Sequence, residues 1–453
     1  MSLFGTAGIR GDVKNQVTPQ LALTIGQIIG SPNAEFVIGR DGRTTGEGLC
    51  EAMSAGILSV GGDVIRLGQV PSPTLAFASQ DRQGVMITAS HNPPSDNGIK
   101  LFEDCVEYTA QQEQEIANAY QETTTPVEWS AWGSQTEQVV LEEYRSTIVS
   151  YALSHGSAPT DLSIAIDCGN GMAGLATPQV LRELGARVTT LNGNIDGHFP
   201  ARSSKPTPDS LAEFTEFVQQ GEFDIGIAHD GDADRIVVLN ENGTIVHEDT
   251  IVAILARYYT KTSDATDPVV VTTPNASTRI DEQVSASGGR VTRVPLGKLH
   301  EGMINIRQQS NDDTEIVFAA EPWKHIHPDL GGWIDGIASA AILAMLVAQH
   351  ASIMALTEDI TQRPYRKESL DCPESLKHPV MNQLEKRLKR EFPAAELSTD
   401  HGIRLSFSDG SWILVRQSGT EPKLRLYCES DRIDDLFEKA KSIVSDTVAD
   451  NRK

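Results

Sequence analysis

The chain is poor in cysteine, in long apolar runs and in lysine. Its five cysteines (Cys50, Cys105, Cys168, Cys372 and Cys428) are scattered, with no C-x-x-C pair. That excludes a zinc ribbon or a disulfide framework and fits a reducing compartment. The longest apolar stretch, around 337–348, is too short to span a bilayer and predicts a buried helix. The opening MSLFGTAGIRG has no basic region followed by an apolar run, so no secretory leader is expected and a cytoplasmic location is. Low-complexity tracts are missing too, which argues against long disorder. Only 14 of the 38 basic residues are lysine, against 62 acidic residues, for a net charge of −24. Such a surface disfavours nucleic acid and anionic membranes as partners. Many acids and few lysines suit a protein kept soluble in concentrated salt, and suit an ordinary acidic enzyme equally.

At 453 residues the chain is too long for one core, so two to four domains are expected. Short β-branched runs alternate with helical patterns. FVIGRD at 36–41 ends in a glycine-bearing loop, 46–60 follows as a helix, and 63–67 and VMIT at 85–88 are further strands. The rhythm restarts at LSIAIDCGNGMAG (162–174), ARVTTLN (186–192) and FDIGIAHD (223–230), and again at PVVVTTPN (268–275), GRVTRVPLG (289–297) and EIVFAAEP (315–322). This predicts three related α/β domains with mixed, largely parallel sheets, and it raises an internal triplication. The C-terminal part differs. A helix at 379–391 precedes an alternating stretch with an Asp-Gly turn at 409–410, then the strand RLYCES and a last amphipathic helix over 433–448, a small α+β domain. Polar stretches near 150–160, 242–264 and 362–375 are candidate linkers. The expected domains are 1–150, 151–250, 251–365 and 366–453.

Four stretches carry chemistry. In HDGDADR (229–235), Asp230, Asp232 and Asp234 stand two apart at the end of an apolar strand, where alternate carboxylates converge on a hard cation such as Mg²⁺. Glu241 falls where an EF-hand would place its last ligand, but Arg235 occupies the obligatory glycine position and the flanks are β-like. A solvated Asp-rich turn is the bland alternative. In RQSGTEPKLR (416–425), Arg416, Ser418, Gly419, Thr420 and Arg425 combine guanidinium, hydroxyl and open backbone, the groups that grip a phosphate, although a plain hairpin with surface arginines has the same letters. FGTAGIRG (4–11) reads as an anion-friendly glycine loop with Arg10 in reach of a phosphate.

TASHNPPSDNGIK (88–100) surrounds Ser90 with turn-formers, and His91 and Lys100 follow. A Ser/His nucleophile for acyl transfer lacks the G-x-S-x-G elbow, and adjacent residues rarely pair as nucleophile and base. A structural loop remains open. So does a serine that carries a phosphoryl group, whose charge would need Arg10, Lys100 and Arg235 beside it.

In that order these four motifs resemble the α-D-phosphohexomutase superfamily, over essentially the whole chain, in a form similar to archaeal phosphoglucosamine mutases and phosphomannomutase/phosphoglucomutases. The resemblance implies four domains around a central cleft and Ser90 as the phosphoserine. It implies one Mg²⁺ per chain, held by Asp230, Asp232, Asp234 and the Ser90 phosphate. Lys100 and His91 become candidates for proton transfer and phosphoryl stabilisation, with neighbouring cations lowering the Lys100 pKa and Arg235 and Arg10 assisting. Arg416, Ser418, Gly419, Thr420 and Arg425 would hold the phosphate already on the sugar. The expected activity is an intramolecular phosphotransfer between C1 and C6 of a hexose phosphate (glucosamine, mannose or glucose), with a hexose 1,6-bisphosphate as intermediate and activator. The expected partners are small sugar phosphates, and the expected state is monomer or homodimer. A phosphopentomutase, a Mg-dependent sugar-phosphate phosphatase and a non-catalytic sugar-phosphate binder are the alternatives. One departure stands out. The superfamily's sugar-reading loop G-E-x-S-G-H is here Ala320-Glu321-Pro322-Trp323-Lys324-His325. Glu321 and His325 keep their places, Trp323 offers a stacking face, and Lys298, in LGKLHEG, falls in a second substrate-facing loop.

Overall fold

The computed structural model describes residues 3–5, 8–120, 124–310, 313–419 and 421–452. They form two compact units, Met1–Ile251 with Trp323–Glu358, and Val252–Pro322 with Asp359–Lys453.

In the first unit, a seven-stranded sheet is built on four parallel strands: Gln83–Ile87, Glu35–Arg40, Asp63–Gln69 and Gln135–Glu137. Apolar β-branched stretches such as FVI and GVMI are buried on both faces, as a helix-covered parallel sheet demands. Two antiparallel strands extend it, Asp96–Glu103 beside Gln83–Ile87 and then Ile9–Asp12. They take over only the ends of the loops expected at 88–100 and 4–11, and 88–95 is a loop. The Asn97-Gly98 pair looks like a turn, yet Gly98 lies mid-ladder. A Cβ there would come within 2.5 Å of the Ile9 and Thr88 carbonyls, so glycine serves close strand approach. The second sheet runs Ile236–Leu239, Ile225–His229, Ser163–Asp167, Arg187–Leu191, with the last three parallel. The helix Gly336–His350, foreseen as buried, is covered along most of its length and is capped by Asp335, whose Oδ1 accepts from the Ile337 and Ala338 amides.

In the second unit, Arg290–Arg293, Asp267–Thr272 and Thr314–Glu321 are parallel neighbours. A five-stranded antiparallel sheet follows, in the order Tyr365–Asp371, Lys423–Glu429, Trp412–Gln417, Ile403–Ser406, Glu396–Ser398. The helices Lys377–Glu391 and Ile433–Asn451 supply its apolar core. The hairpin at 409–410 is present, with Gly410 at φ +82°. A buried ion pair, Arg279 to Glu429 at 2.8 Å, joins elements of this unit, and Ser277 and Trp412 also donate to the Glu429 carboxylate. The mixed, largely parallel α/β sheets and the C-terminal α+β part are thus as the sequence implies. Regular structure runs into the candidate linkers: Leu141–Ser154 and Glu248–Thr262 are helices and Tyr365–Asp371 is a strand. Their polar letters belong to the solvent faces of half-buried elements. No helix among the described residues is long and apolar enough to cross a membrane.

Candidate active site

Parallel sheets present the C-terminal ends of their strands as a functional edge. Gln83–Ile87 delivers Ser90 there, and Ile225–His229 delivers the Asp loop. Ser90 is fully buried, and its Oγ donates to Asp230 Oδ2 at 2.8 Å across 140 residues of sequence. Its Oγ also lies 3.1 Å from His91 Nδ1, so these adjacent side chains do meet, contrary to the rule applied to the sequence. The serine loop and the ion loop therefore form one site.

Asp230, Asp232 and Asp234 are all buried, with ligand oxygens within 4.8 Å of one another. Asp232 Oδ2 accepts from Ser72 Oγ at 2.6 Å and from Lys100 Nζ at 3.0 Å, and Lys100 also donates to Asp234 Oδ2 at 2.8 Å. Arg235 Nε stands 3.7 Å from Asp230 and 3.6 Å from Asp234. Asp232 Oδ1 and Asp234 Oδ1 are buried with no hydrogen-bond donor. Buried carboxylate oxygens without donors are costly. Two of them in a cluster of three carboxylates fit a hard divalent cation, and all-oxygen donors suit Mg²⁺.

The titration behaviour follows. Burial, then Asp234 and Asp232, push Asp230 well above the carboxylate range. Burial and Asp234 also press Asp232 upward, but Lys100, the Ser72 bond and Arg10 outweigh them and hold it low. Asp234 is held low against its burial by Lys100, Arg235 and Lys324. Burial opposes the Lys100 ammonium, yet Asp232 and Asp234 raise its pKa above the ordinary value. This corrects the expectation that neighbouring cations lower it: its nearest partners are anions. Burial, then Arg235 and Arg10, depress His91 to about 3, so its imidazole is neutral near pH 7. Arg10 lies on the edge strand Ile9–Asp12, and its Nε is buried without a hydrogen-bond partner.

The loop's stem is fixed from behind. His229 is no ligand: Thr177 meets its Nε2 and the Arg235 carbonyl its Nδ1. Arg202 donates to the His229 carbonyl at 2.8 Å and to Asp167 Oδ2 at 2.5 Å. Sequence reasoning missed Ser72, and also Asp41, Thr88 and Arg43 beneath Ser90. Its only signal was a strand ending in Arg-Asp-Gly-Arg.

The stretch 320–325, expected to read the sugar, is largely packed. His325 is 1 % exposed and meets Ser339 Oγ through Nδ1, and burial depresses it to about 3. The imidazole is packed and neutral near pH 7. Trp323, half-buried, packs on the apolar cluster of Leu211, Phe214 and Val237. In the second unit, Glu321 accepts from the Gly297 amide, and its neighbour Lys298 pairs with Glu301 at 2.7 Å.

In the same unit, Arg416 and Arg425 lie directly opposite each other on adjacent antiparallel strands. Like charges in that register repel unless an anion lies between them. Arg425 Nε and Ser418 Oγ are buried with no hydrogen-bond partner, Gly419 opens onto free space, and Lys377 ties down the Ser418 and Glu421 carbonyls. Thr420 lies outside the described residues. A cavity of about 400 Å³ is lined by Arg416, Gln417, His401 and Asn382 among others. These features fit an anion the size of phosphate.

Residues 1–126, 142–243 and 247–363 match phosphoglucomutase/phosphomannomutase α/β/α domains I, II and III, and 372–445 match the C-terminal domain of the same description. The chain is 37% identical over 463 residues to a phosphopentomutase from Thermococcus kodakarensis, covering 100% of both chains. It is 35% identical over 441 residues to a probable phosphoglucosamine mutase from Methanosphaera stadtmanae, covering 94% of each. Its fold is similar to a phosphoglucomutase/phosphomannomutase family protein from Burkholderia thailandensis (TM-score 0.85, 24% identity, 98% of each chain). It is similar also to an Aspergillus fumigatus N-acetylphosphoglucosamine mutase solved with GlcNAc-6P and magnesium (TM-score 0.62, 15% identity, 99% of this chain and 95% of that one).

Proposed function

The chain belongs to the phosphoglucomutase/phosphomannomutase family of phosphotransferring mutases, and on that premise we propose that it moves a phosphoryl group between C1 and C6 of a hexose phosphate with Ser90 as carrier. The observation that carries this reading is the 2.8 Å contact of Ser90 Oγ with Asp230, inside a buried carboxylate triad that has two donorless oxygens. We assign the phosphoserine to 1–150, the metal ligands to 151–250, sugar recognition to 251–365 and phosphate holding to 366–453.

Ser90 enters the cycle phosphorylated. Its phosphoryl passes to the free sugar hydroxyl: the bond from phosphorus to Ser90 oxygen breaks, the bond to sugar oxygen forms, and the hydroxyl proton is returned to Ser90 Oγ. The resulting hexose 1,6-bisphosphate turns over, and Ser90 takes back the other phosphoryl group. Transfer of this kind depends on positioning and charge neutralisation more than on covalent help. Asp230, Asp232 and Asp234 would hold one Mg²⁺, which supplies charge stabilisation to the transferring group. Lys100, Arg235 and Arg10 add positive charge at the same place. His91, 3.1 Å from Ser90 Oγ and neutral, would stabilise the phosphoryl group there through a hydrogen bond rather than as a strong base. Arg416, Ser418, Gly419 and Arg425 would hold the phosphate that is not reacting, a remote anchor whose binding energy serves both orientations. Glu321 and Lys298 are left to read sugar hydroxyls.

A pentose phosphate is the second reading, favoured by the altered loop at 320–325 and by the relative named phosphopentomutase. A panel of glucosamine, mannose, glucose and pentose 1-phosphates decides between them. Intact mass should find one extra phosphate on the purified chain. Ser90→Ala should lose turnover and keep sugar-phosphate binding, and mutase activity in that variant with added bisphosphate would remove the assignment. Inorganic phosphate released faster than isomer forms would favour a phosphatase.

A further inference from the structure

Ser90 stands in the left-handed backbone region, at φ +51°. A residue with a Cβ costs about 1–2 kcal/mol there and persists only where its surroundings over-determine it. One arginine does most of that. Arg43 is 1 % exposed, and every N–H of its guanidinium has an acceptor. Nε donates to Asp41 Oδ2 at 3.0 Å. Nη1 donates to the Pro93 and Asp96 carbonyls at 2.5 and 2.8 Å, and Nη2 to the Ser90 and Asn92 carbonyls at 3.0 and 2.7 Å. Four carbonyls between 90 and 96 thus converge on one planar fork.

Asp41 closes the arrangement from the other side. Its Oδ2 accepts from Thr88 Oγ1 at 2.6 Å, and Thr88 Oγ1 accepts from the Ser90 amide at 2.9 Å. Both polar groups of the Ser90 backbone are therefore tied to the Asp41–Arg43 pair, the carbonyl directly and the amide through Thr88. On the opposite face the Ser90 carbonyl abuts Gly231, where a Cβ would come within 2.6 Å of it.

We infer that Arg43 is a positioning residue for phosphoryl transfer: its fork sets the backbone conformation that aims Ser90 Oγ at Asp230. The inference rests on the mutase reading of this site. Arg43 has no donor left for substrate, so it acts through Ser90. Without the fork, Ser90 relaxes toward ordinary φ and its Oγ swings off line, and a misplacement of about 1 Å costs roughly 10²-fold in rate.

Arg43→Lys is the test, because an ammonium carries three donors at one point and cannot reproduce a planar five-donor fork. The measurements are kcat and KM on the best substrate of the wild-type panel, calorimetric affinity for that sugar phosphate, and the single-turnover rate of Ser90 labelling by hexose 1,6-bisphosphate. We expect kcat and the labelling rate to fall roughly 10²-fold while KM and affinity stay within about threefold. A kcat within about threefold of wild type overturns the inference, and so does a loss of affinity parallel to the loss of rate. Should Arg43→Lys not fold, Thr88→Val decides. It keeps the shape and removes the hydroxyl link, so kcat should fall roughly tenfold at unchanged KM, and a wild-type kcat is the overturning result. A wild-type chain that never labels Ser90 sinks the mutase reading and this inference with it, whereas an active wild type with an equally active Arg43→Lys overturns this inference alone.

Discussion

Removing divalent cations should stop phosphoryl transfer onto Ser90 before it disturbs sugar binding. The three carboxylates of the Asp loop crowd their negative charges into one buried place, in ion-pair contact with Lys100 and Arg235, and their mutual repulsion together with burial already pushes Asp230 well above the carboxylate range. Phosphorylating Ser90 adds nearly two more, on an oxygen 2.8 Å from Asp230 Oδ2. One like-charge pair about 4 Å apart, at an effective dielectric of about 20, costs about 4 kcal/mol. That is roughly 10³-fold in rate or occupancy. The assay is transfer of labelled phosphate from hexose 1,6-bisphosphate to the chain, read by intact mass, after exhaustive chelation and again after Mg²⁺ is restored. Labelling should fall by about three orders of magnitude and recover with Mg²⁺. Equal labelling of the stripped protein, with its metal content shown to be negligible by elemental analysis, would refute the charge argument and with it the role given to the triad.

Three further outcomes are expected. Ser418→Ala and Arg425→Met should each raise KM roughly 10- to 100-fold, the worth of one charge-assisted phosphate contact, and kcat should change less; steady-state kinetics check this, and an unchanged KM in both would remove the anchor role. His325 (about 3) and His327 (well below its ordinary value) are kept neutral chiefly by burial. In the window between about pH 6.5 and pH 4 the unfolded chain therefore binds more protons than the native one, so stability is lost as the pH is lowered, by roughly 1.4 kcal/mol per unit per imidazole. Urea midpoints across that window should show the slope, and His325→Gln should flatten it; an unchanged slope in the variant would contradict neutral burial. With a net charge of −24, self-repulsion should weaken as the Debye length shrinks from about 10 Å at 0.1 M salt to about 3 Å at 1 M. Thermal midpoints should then rise with KCl, and a fall would show that ion pairs outweigh the repulsion.

Much of the chemistry was legible because it sits in contiguous letters. Alternate aspartates after an apolar strand, and arginines flanking Ser-Gly-Thr, each announce a ligand class within ten residues. The groups that hold these letters in place were not legible. Arg43 reaches carbonyls about 50 residues away and Ser72 reaches across 160 to Asp232, and no local period encodes such bonds. Lys100 was seen as a loop residue because Asn97-Gly98 imitates a turn, whereas the glycine is there for strand approach. His325 was legible only as a letter of a motif, whereas its burial and the packing of half-buried Trp323 on an apolar cluster come from residues far along the chain. Motif position fixes where a residue lies along the chain, and burial decides what it can touch.

The first unit is discontinuous: the chain leaves it at Ile251, re-enters at Trp323 and departs again at Glu358. The helix Gly336–His350 belongs to that returning piece and packs on Ile225–His229 and Ile236–Leu239, the two strands that bracket the Asp loop. During synthesis the ribosome therefore emits the aspartates about a hundred residues before the prop they lean on. A nascent chain halted near residue 250 would carry all three aspartates of the triad and still present a greasy, vacant socket. Chaperone capture should peak in that interval and subside once the late helix has emerged.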